Sequence, residues 1–197
     1  MSGYEKIVIA SNNKGKIKEF HDLLNPRGIT VVPQQELGVK GAYEPHMTFV
    51  ENALVKARHV SRYTRFPVLA DDSGICVESL NGQPGVRSSR FARESATDQE
   101  NNLFLIEQLS GQRERGAHYY CVIVVVSGYK DPAPLLATGK WEGEILGAPR
   151  GSFGFGYDPL FYDSNLGKTA AELNKHQKNK VSHRGIATRK IIKLLEK

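Results

Sequence analysis

Pro67-Val68-Leu69-Ala70-Asp71-Asp72-Ser73-Gly74 is a short apolar run that stops abruptly in two carboxylates, a hydroxyl and a glycine. Pro67 to Ala70 reads as a short buried strand, and Gly74 permits a sharp turn directly after it. That arrangement brings Asp71, Asp72 and Ser73 to a strand end, where open α/β sheets keep their ligand crevices. Successive strand residues face opposite ways, so both carboxylates reach one pocket only if the chain has already turned. One of the pair then serves as a catalytic group or metal ligand and the other caps the turn. The alternative is that both only stabilise a turn, for which Asp, Ser and Gly are ordinary choices.

Outward from this stretch, Lys6-Ile7-Val8-Ile9-Ala10 is a β-branched strand that halts at Ser11-Asn12-Asn13-Lys14-Gly15-Lys16. Ile17, Phe20, Leu23 and Leu24 follow with helical spacing. A strand, a polar glycine-bearing turn and a helix aim backbone N–H groups and a helix dipole at an anion, and phosphate is the natural one. The GxxxxGK[ST] spacing of a P-loop is missing, and a plain capped turn is the competing reading. Pro26-Arg27-Gly28 ends the helix, and Ile29 to Val32 suggests a second strand.

Gly38 to His46 is loop, with Glu44 its only carboxylate. Thr48-Phe49-Val50-Glu51 is a capping box for a helix running to about Tyr63, which gives Glu51 a structural role and discounts it as a catalyst. Lys56 lies on the polar side of that helix, either as a phosphate contact or facing solvent. Ile75 to Leu80 alternates like a strand, Thr97 to Glu100 is a second capping box, and Tyr119 to Val126 is the most strand-like run. Leu135 to Leu146 adds another strand, in which Trp141 packs.

Gly151-Ser152-Phe153-Gly154-Phe155-Gly156-Tyr157-Asp158 places aromatics among glycines, poor material for strand or helix. Such aromatics suit stacking on a flat ligand such as a nucleobase, or else the loop packs on the core. Lys168 to Leu173 reads as a helical start, followed by a charged connector to Val181. Ser182 can cap a last helix that buries Ala187, Ile191, Leu194 and Leu195. His183 and Arg184 fall in its first turn, an odd place for cations unless an anion or carbonyl oxygen sits there.

With 197 residues and 40% hydrophobic composition the chain suits one domain, or one domain whose two lobes flank a cleft. No apolar run approaches the roughly 20 residues that span a bilayer, and Met1-Ser2-Gly3-Tyr4-Glu5-Lys6 lacks a signal-peptide layout, which predicts a cytoplasmic protein without a membrane partner. Cys76 and Cys121 offer neither zinc spacing nor a disulfide framework. The net charge of +6 is concentrated: nine Lys or Arg stand against two Glu from Lys168 onward, and 18 basic against 19 acidic residues before it. A basic segment points to phosphate, nucleic acid or a solvated helix face.

Six of these stretches, in order, resemble the inosine triphosphatase or XTP/dITP diphosphatase family of the Ham1 type. They are Ser11 to Lys16, Thr48 to Ala53 with Lys56-Ala57, Ala70 to Gly74, Gly82 to Val86, Phe155 to Pro159, and Ser182-His183-Arg184. Phe153 replaces a usual glycine and Ser89 a frequent alanine. The resemblance covers nearly the full chain and implies one domain over 1–197. Its fold would be α/β, a long bent mixed sheet with flanking helices and two lobes around a central cleft.

The implied reaction cleaves the α-β phosphoanhydride of ITP, dITP or XTP with Mg²⁺, clearing deaminated purines, in a homodimer. Asp72 would accept the proton of the attacking water and bind Mg²⁺ with Glu44. Ser11, Asn12, Asn13, Lys14, Gly15 and Lys16 would cradle the triphosphate, and Ser73 would donate to the substrate. Phe155 would stack on the base beside Gly156 and Tyr157, with Asp158, Lys178, His183 and Arg184 around its edge and the nearby phosphate. Hypoxanthine and xanthine offer N1–H and O6, which an Asp158 acceptor and a His183 or Arg184 donor match and adenine opposes. A nucleic-acid binder is the rival class, without a recognisable RNA-binding pattern and with no stable complex expected. A pyrophosphatase of the septum-inhibitor type, which prefers modified pyrimidines, is disfavoured by the Phe-Gly-Tyr-Asp and Ser-His-Arg segments.

Overall fold

The computed structural model describes residues 5–196. Met1 to Tyr4, part of the segment read for an export signal, and Lys197 lie outside the described residues. The chain forms two compact units, one of residues 5–72, 121–139 and 184–196, the other of 73–120 and 140–183.

In the first unit, β1 (Lys6–Ile9) and β2 (Thr30–Pro33) run parallel with Lys6 opposite Thr30, connected through helix α1 (Lys14–Leu24). Helix α2 (Phe49–Val60) leads to β3 (Val68–Val77), whose start lies parallel to β1 with Val8 opposite Val68. Parallel strands need such crossovers, and helices supply them here. Ile7, Ile9, Phe20, Leu24, Leu69, Ile123, Ala187 and Ile191 are buried together as this unit's core. The periodicities that predicted strand and helix therefore converge on one apolar layer.

The second unit buries Ile75, Val77, Leu105, Tyr119, Trp141, Tyr157, Leu160 and Phe161 around a separate core. It carries α3 (Asp98–Gln108), β6 (Phe161–Asp163), β7 (Lys168–Thr169) and α4 (Lys175–Val181). Strands β3, β4 (Gly116–Val126) and β5 (Leu135–Ile145) each continue along the chain from one unit into the other. The strand order is β2-β1-β3-β4-β5-β6-β7, an open mixed sheet with parallel pairs at β1 and antiparallel pairs at β5-β6 and β6-β7. The last helix, α5, spans His183–Leu195. Among the described residues no helix is long and apolar enough to cross a membrane.

Three expectations about elements need correction. The Asp-Asp-Ser-Gly stretch is no turn: β3 runs unbroken through it. Gly74 is required because a side chain there would collide with the Gly85 carbonyl and the Ser88 hydroxyl, which holds the Ile75 N–H at 2.9 Å. Lys168 to Leu173 is a short strand and a 3-10 turn, whereas the charged connector is helix α4. Asn174 caps α4 by a reciprocal bond pair with Gln177, so local capping overrides the lack of an apolar face.

Candidate active site

Because β3 does not turn, Asp71 and Asp72 project to opposite faces and acquire different partners. Asp71 is buried and pairs with Lys16 Nζ at 3.0 Å and Arg184 Nε at 3.3 Å. Arg184 also pairs with Glu19, one helical turn beyond Lys16 on α1. Burial by itself would raise the Asp71 carboxyl, but Lys16 and Arg184, with Lys56 behind them, hold it well below the ordinary value. For Arg184, burial is outweighed by Glu19 and Asp71, which hold the guanidinium charged. The cluster is a charge-balanced network of two cations and two carboxylates that holds Lys16 in the first turn of α1.

Asp72 meets a different set. Lys56 Nζ donates to Asp72 Oδ1 at 2.9 Å and to Glu44 Oε2 at 2.8 Å. Asn52, four residues before Lys56 on α2, reaches Asp72 Oδ2 at 3.5 Å while exchanging two bonds with the His46 backbone. Burial raises the Asp72 carboxyl against the pull of Lys56 and Lys16, and Glu44 adds to the rise. A buried carboxylate with raised proton affinity is chemically fit to take a proton.

Two hard carboxylate oxygens converge on a single cation here, the Lys56 ammonium. They would suit Mg²⁺, which commonly takes one or two carboxylates and completes its shell with phosphates and water. No cluster of three or more His, Cys, Asp or Glu able to hold a metal exists among the described residues.

The turn before α1 is preorganised. Asn13 caps the helix by accepting from the Lys16 N–H at 3.0 Å, and Ser11 accepts from the Asn13 N–H at 3.2 Å. Asn12 Oδ1 accepts from Gln34 and Gln35 at 2.7 and 3.0 Å, tying the turn to the short 3-10 helix after β2. Lys14 and Gly15 are the first two residues of α1.

In the second unit, Asp158 Oδ2 accepts from the Phe155 N–H at 2.9 Å and from Lys178 Nζ at 2.5 Å, and Oδ1 accepts from the Tyr119 hydroxyl at 3.3 Å. Lys178 Nζ also stands 4.9 Å from the centre of the Phe155 ring. Tyr119 and His183 stack with centroids 4.5 Å apart and planes 11° apart. Gly154, at φ +80°, has no room for a side chain against the Asp158 carboxylate. Gly156 donates to Asp98 at 2.6 Å, Tyr157 is buried and donates to the Ser88 carbonyl at 2.8 Å, and Phe155 stays half-exposed.

The model of the Ham1 family matches residues 7–194. A dITP/XTP pyrophosphatase of Nitrosomonas europaea is 56% identical over 96% of this chain and 94% of its own, and one of Ralstonia nicotianae is 54% identical over 96% of each. The chain belongs to the Ham1 family. A HAM1 protein from Coxiella burnetii shares the fold at TM-score 0.90 and 46% identity, covering 96% of this chain and 98% of that one. The Staphylococcus aureus Ham1 protein does so at 0.86 and 38%, covering 97% and 98%.

Within this Ham1 chain, the residues singled out from sequence fall into two sets. Ser11 to Lys16, Glu44, Lys56, Asp72 and Arg184 lie in the first unit; Ser73, Phe155 to Asp158, Lys178 and His183 lie in the second. Lys56 does not face solvent, because it is ion-paired twice. Arg184, grouped with His183 by adjacency, is directed at Glu19 and Asp71 instead. Glu51 accepts from the Thr48 hydroxyl at 2.5 Å, so its structural role stands.

Sequence reading missed Glu19, Asn52 and Tyr119. Glu19 and Asn52 were open to it, since helical spacing aligns Glu19 with Lys16 and Asn52 with Lys56. Nothing in the strand pattern distinguished Tyr119 from its neighbours.

Proposed function

We propose that this Ham1 protein is a nucleoside-triphosphate diphosphatase that hydrolyses dITP, XTP and ITP to the monophosphate and pyrophosphate, removing deaminated purines from the nucleotide pool. The observation that carries the reading is the Asp72, Glu44 and Lys56 constellation beside a capped, cation-bearing turn, in a chain more than half identical to a dITP/XTP pyrophosphatase.

Asp72 accepts the proton of the attacking water, and Glu44 and Asp72 would hold Mg²⁺. When bound, the metal neutralises charge on the phosphate oxygens. Ser11, Asn12, Asn13, Lys14, Gly15 and Lys16 receive the triphosphate, with Lys56 a further phosphate contact and Ser73 a donor to substrate. Phe155, flanked by Gly156 and Tyr157, stacks on the base; Asp158, Lys178 and His183 distinguish its edge, and Arg184, paired with Asp71 beside Lys16, serves the nearby phosphate. Homodimer assembly, one two-lobed domain over 1–197 and a cytoplasmic location complete the proposal.

The test is a panel of nucleoside triphosphates assayed with and without Mg²⁺, scored for pyrophosphate and monophosphate together. Stoichiometric release of both from dITP, XTP and ITP, abolished by chelation and by Asp72→Asn, is the expected result. Release of inorganic phosphate from the γ position, or an Asp72→Asn rate above roughly a tenth of wild type, would contradict it.

A further inference from the structure

Lys56 Nζ lies 2.8 Å from Glu44 and 2.9 Å from Asp72, and its side chain is only 11% exposed. One ammonium thus satisfies both carboxylates assigned to the metal. We propose that Lys56 is the resident cation of this pair, bridging Glu44 and Asp72 in the metal-free protein and competing with a divalent cation for the same oxygens. The inference rests on the reading of Glu44 and Asp72 as the metal-holding pair.

The reasoning is electrostatic. Asp72 has an 8% exposed side chain, where charges interact far more strongly than in bulk water, so two facing carboxylates need a counter-charge. A divalent cation draws on the same carboxylate oxygens. It would meet the Lys56 charge at contact distance, so its entry requires the ammonium to withdraw. Lys suits such an exchange because its charge is a point on a flexible four-carbon stem with three rotatable donors. Asp72 is not left adrift when the lysine leaves, since Asn52 donates to its other oxygen and is itself tied to the His46 backbone.

A triphosphate gives the released ammonium new oxygens to bind. Metal and polyphosphate therefore bind with positive, reciprocal coupling. Each removes the competitor of the other, which disfavours idle metal in the absence of nucleotide.

The experiment titrates Mn²⁺ alone, without nucleotide, into the whole protein and follows free Mn²⁺ by electron paramagnetic resonance. Wild type, Lys56→Met, Asp72→Asn and the double variant are compared. Lys56→Met is expected to bind Mn²⁺ at least about tenfold more tightly than wild type, and the gain to vanish with Asp72→Asn. Lys56→Gln, which keeps a donor to the carboxylates and loses the charge, should give the same direction if the methionine variant folds poorly. Wild-type binding that weakens in Asp72→Asn, with no tightening in either lysine variant, would overturn the competition and leave the metal pair standing. Binding indifferent to Asp72→Asn in every background would overturn both.

Discussion

Asp71 and Asp72 are neighbours in sequence with opposite electrostatic fates. Burial acts on both; at Asp71 the Lys16 and Arg184 charges overcome it, and at Asp72 the Lys56 and Lys16 charges do not. A carboxyl depressed in the folded state contributes stability that is present above its ordinary value of 3.8 and is lost as pH falls through the lower folded value. Asp71→Asn should cost about 3 to 5 kcal/mol at neutral pH, because it leaves Lys16 and Arg184 short of a buried partner. The gap in urea midpoint between variant and wild type should then narrow as pH drops below 3.8. A gap that stays constant with pH would show that Asp71 acts through shape and not charge. At the other site, Asp158→Asn should lower the ratio of kcat/KM for ITP over ATP by at least about tenfold, or roughly 1.4 kcal/mol. The amide offers either donor or acceptor to the base edge, and it also loosens Lys178. Phe155→Ala should instead weaken ITP and XTP alike, since stacking is indifferent to the edge. Parallel loss for ITP and ATP in Asp158→Asn would restrict Asp158 to holding the Phe155 turn.

Elements turn these residues into sets. Helix α2 aligns Asn52 and Lys56 one turn apart, so a single rigid element delivers both groups to Asp72. Strand β3 places Asp72 in its middle, in extended backbone and not in a turn. Its glycine is the weak point to probe. Gly74→Ala must push the Gly85 carbonyl or break the Ser88 bond to Ile75, and overpacking of that kind costs about 1 to 3 kcal/mol. Thr97→Ala, which removes the complete capping box of α3 on the surface, should cost about 1 kcal/mol. At about 2 to 4 °C of melting temperature per kcal/mol for a chain of this size, calorimetry separates the two. An equal or smaller loss for Gly74→Ala would mean that the loop behind β3 yields without strain.

For the molecule as a whole, the basic excess after Lys168 is partly consumed internally. Lys178 pairs with Asp158, Arg184 pairs with Asp71 and Glu19, and Lys190 donates to the Thr138 carbonyl. A protein that neutralises phosphates along a nucleic acid loses about one log unit of affinity per log unit of salt for each contact. No submicromolar complex with DNA or RNA is therefore expected at physiological salt, and a tight, salt-sensitive complex in a filter-binding assay would reverse that expectation. The sequence by itself determined strands β1, β2, β4 and β5, helices α1, α2, α3 and α5, the helix caps at Thr48 and Thr97, and the family, because these depend on periodicity and on partners within a few residues. It left β3 as a strand and a turn, since Asp, Ser and Gly carry turn propensity wherever they stand and only the packing of Gly85 and Ser88 against Gly74 explains the glycine. The roles of Asp71, Arg184 and Lys56 were decided by tertiary structure alone. Arg184 lies 113 residues from Asp71 and 165 from Glu19, and Lys56 lies 16 from Asp72. Local propensity carries no information over such separations, and buried charges must find their counter-charges wherever the fold brings them.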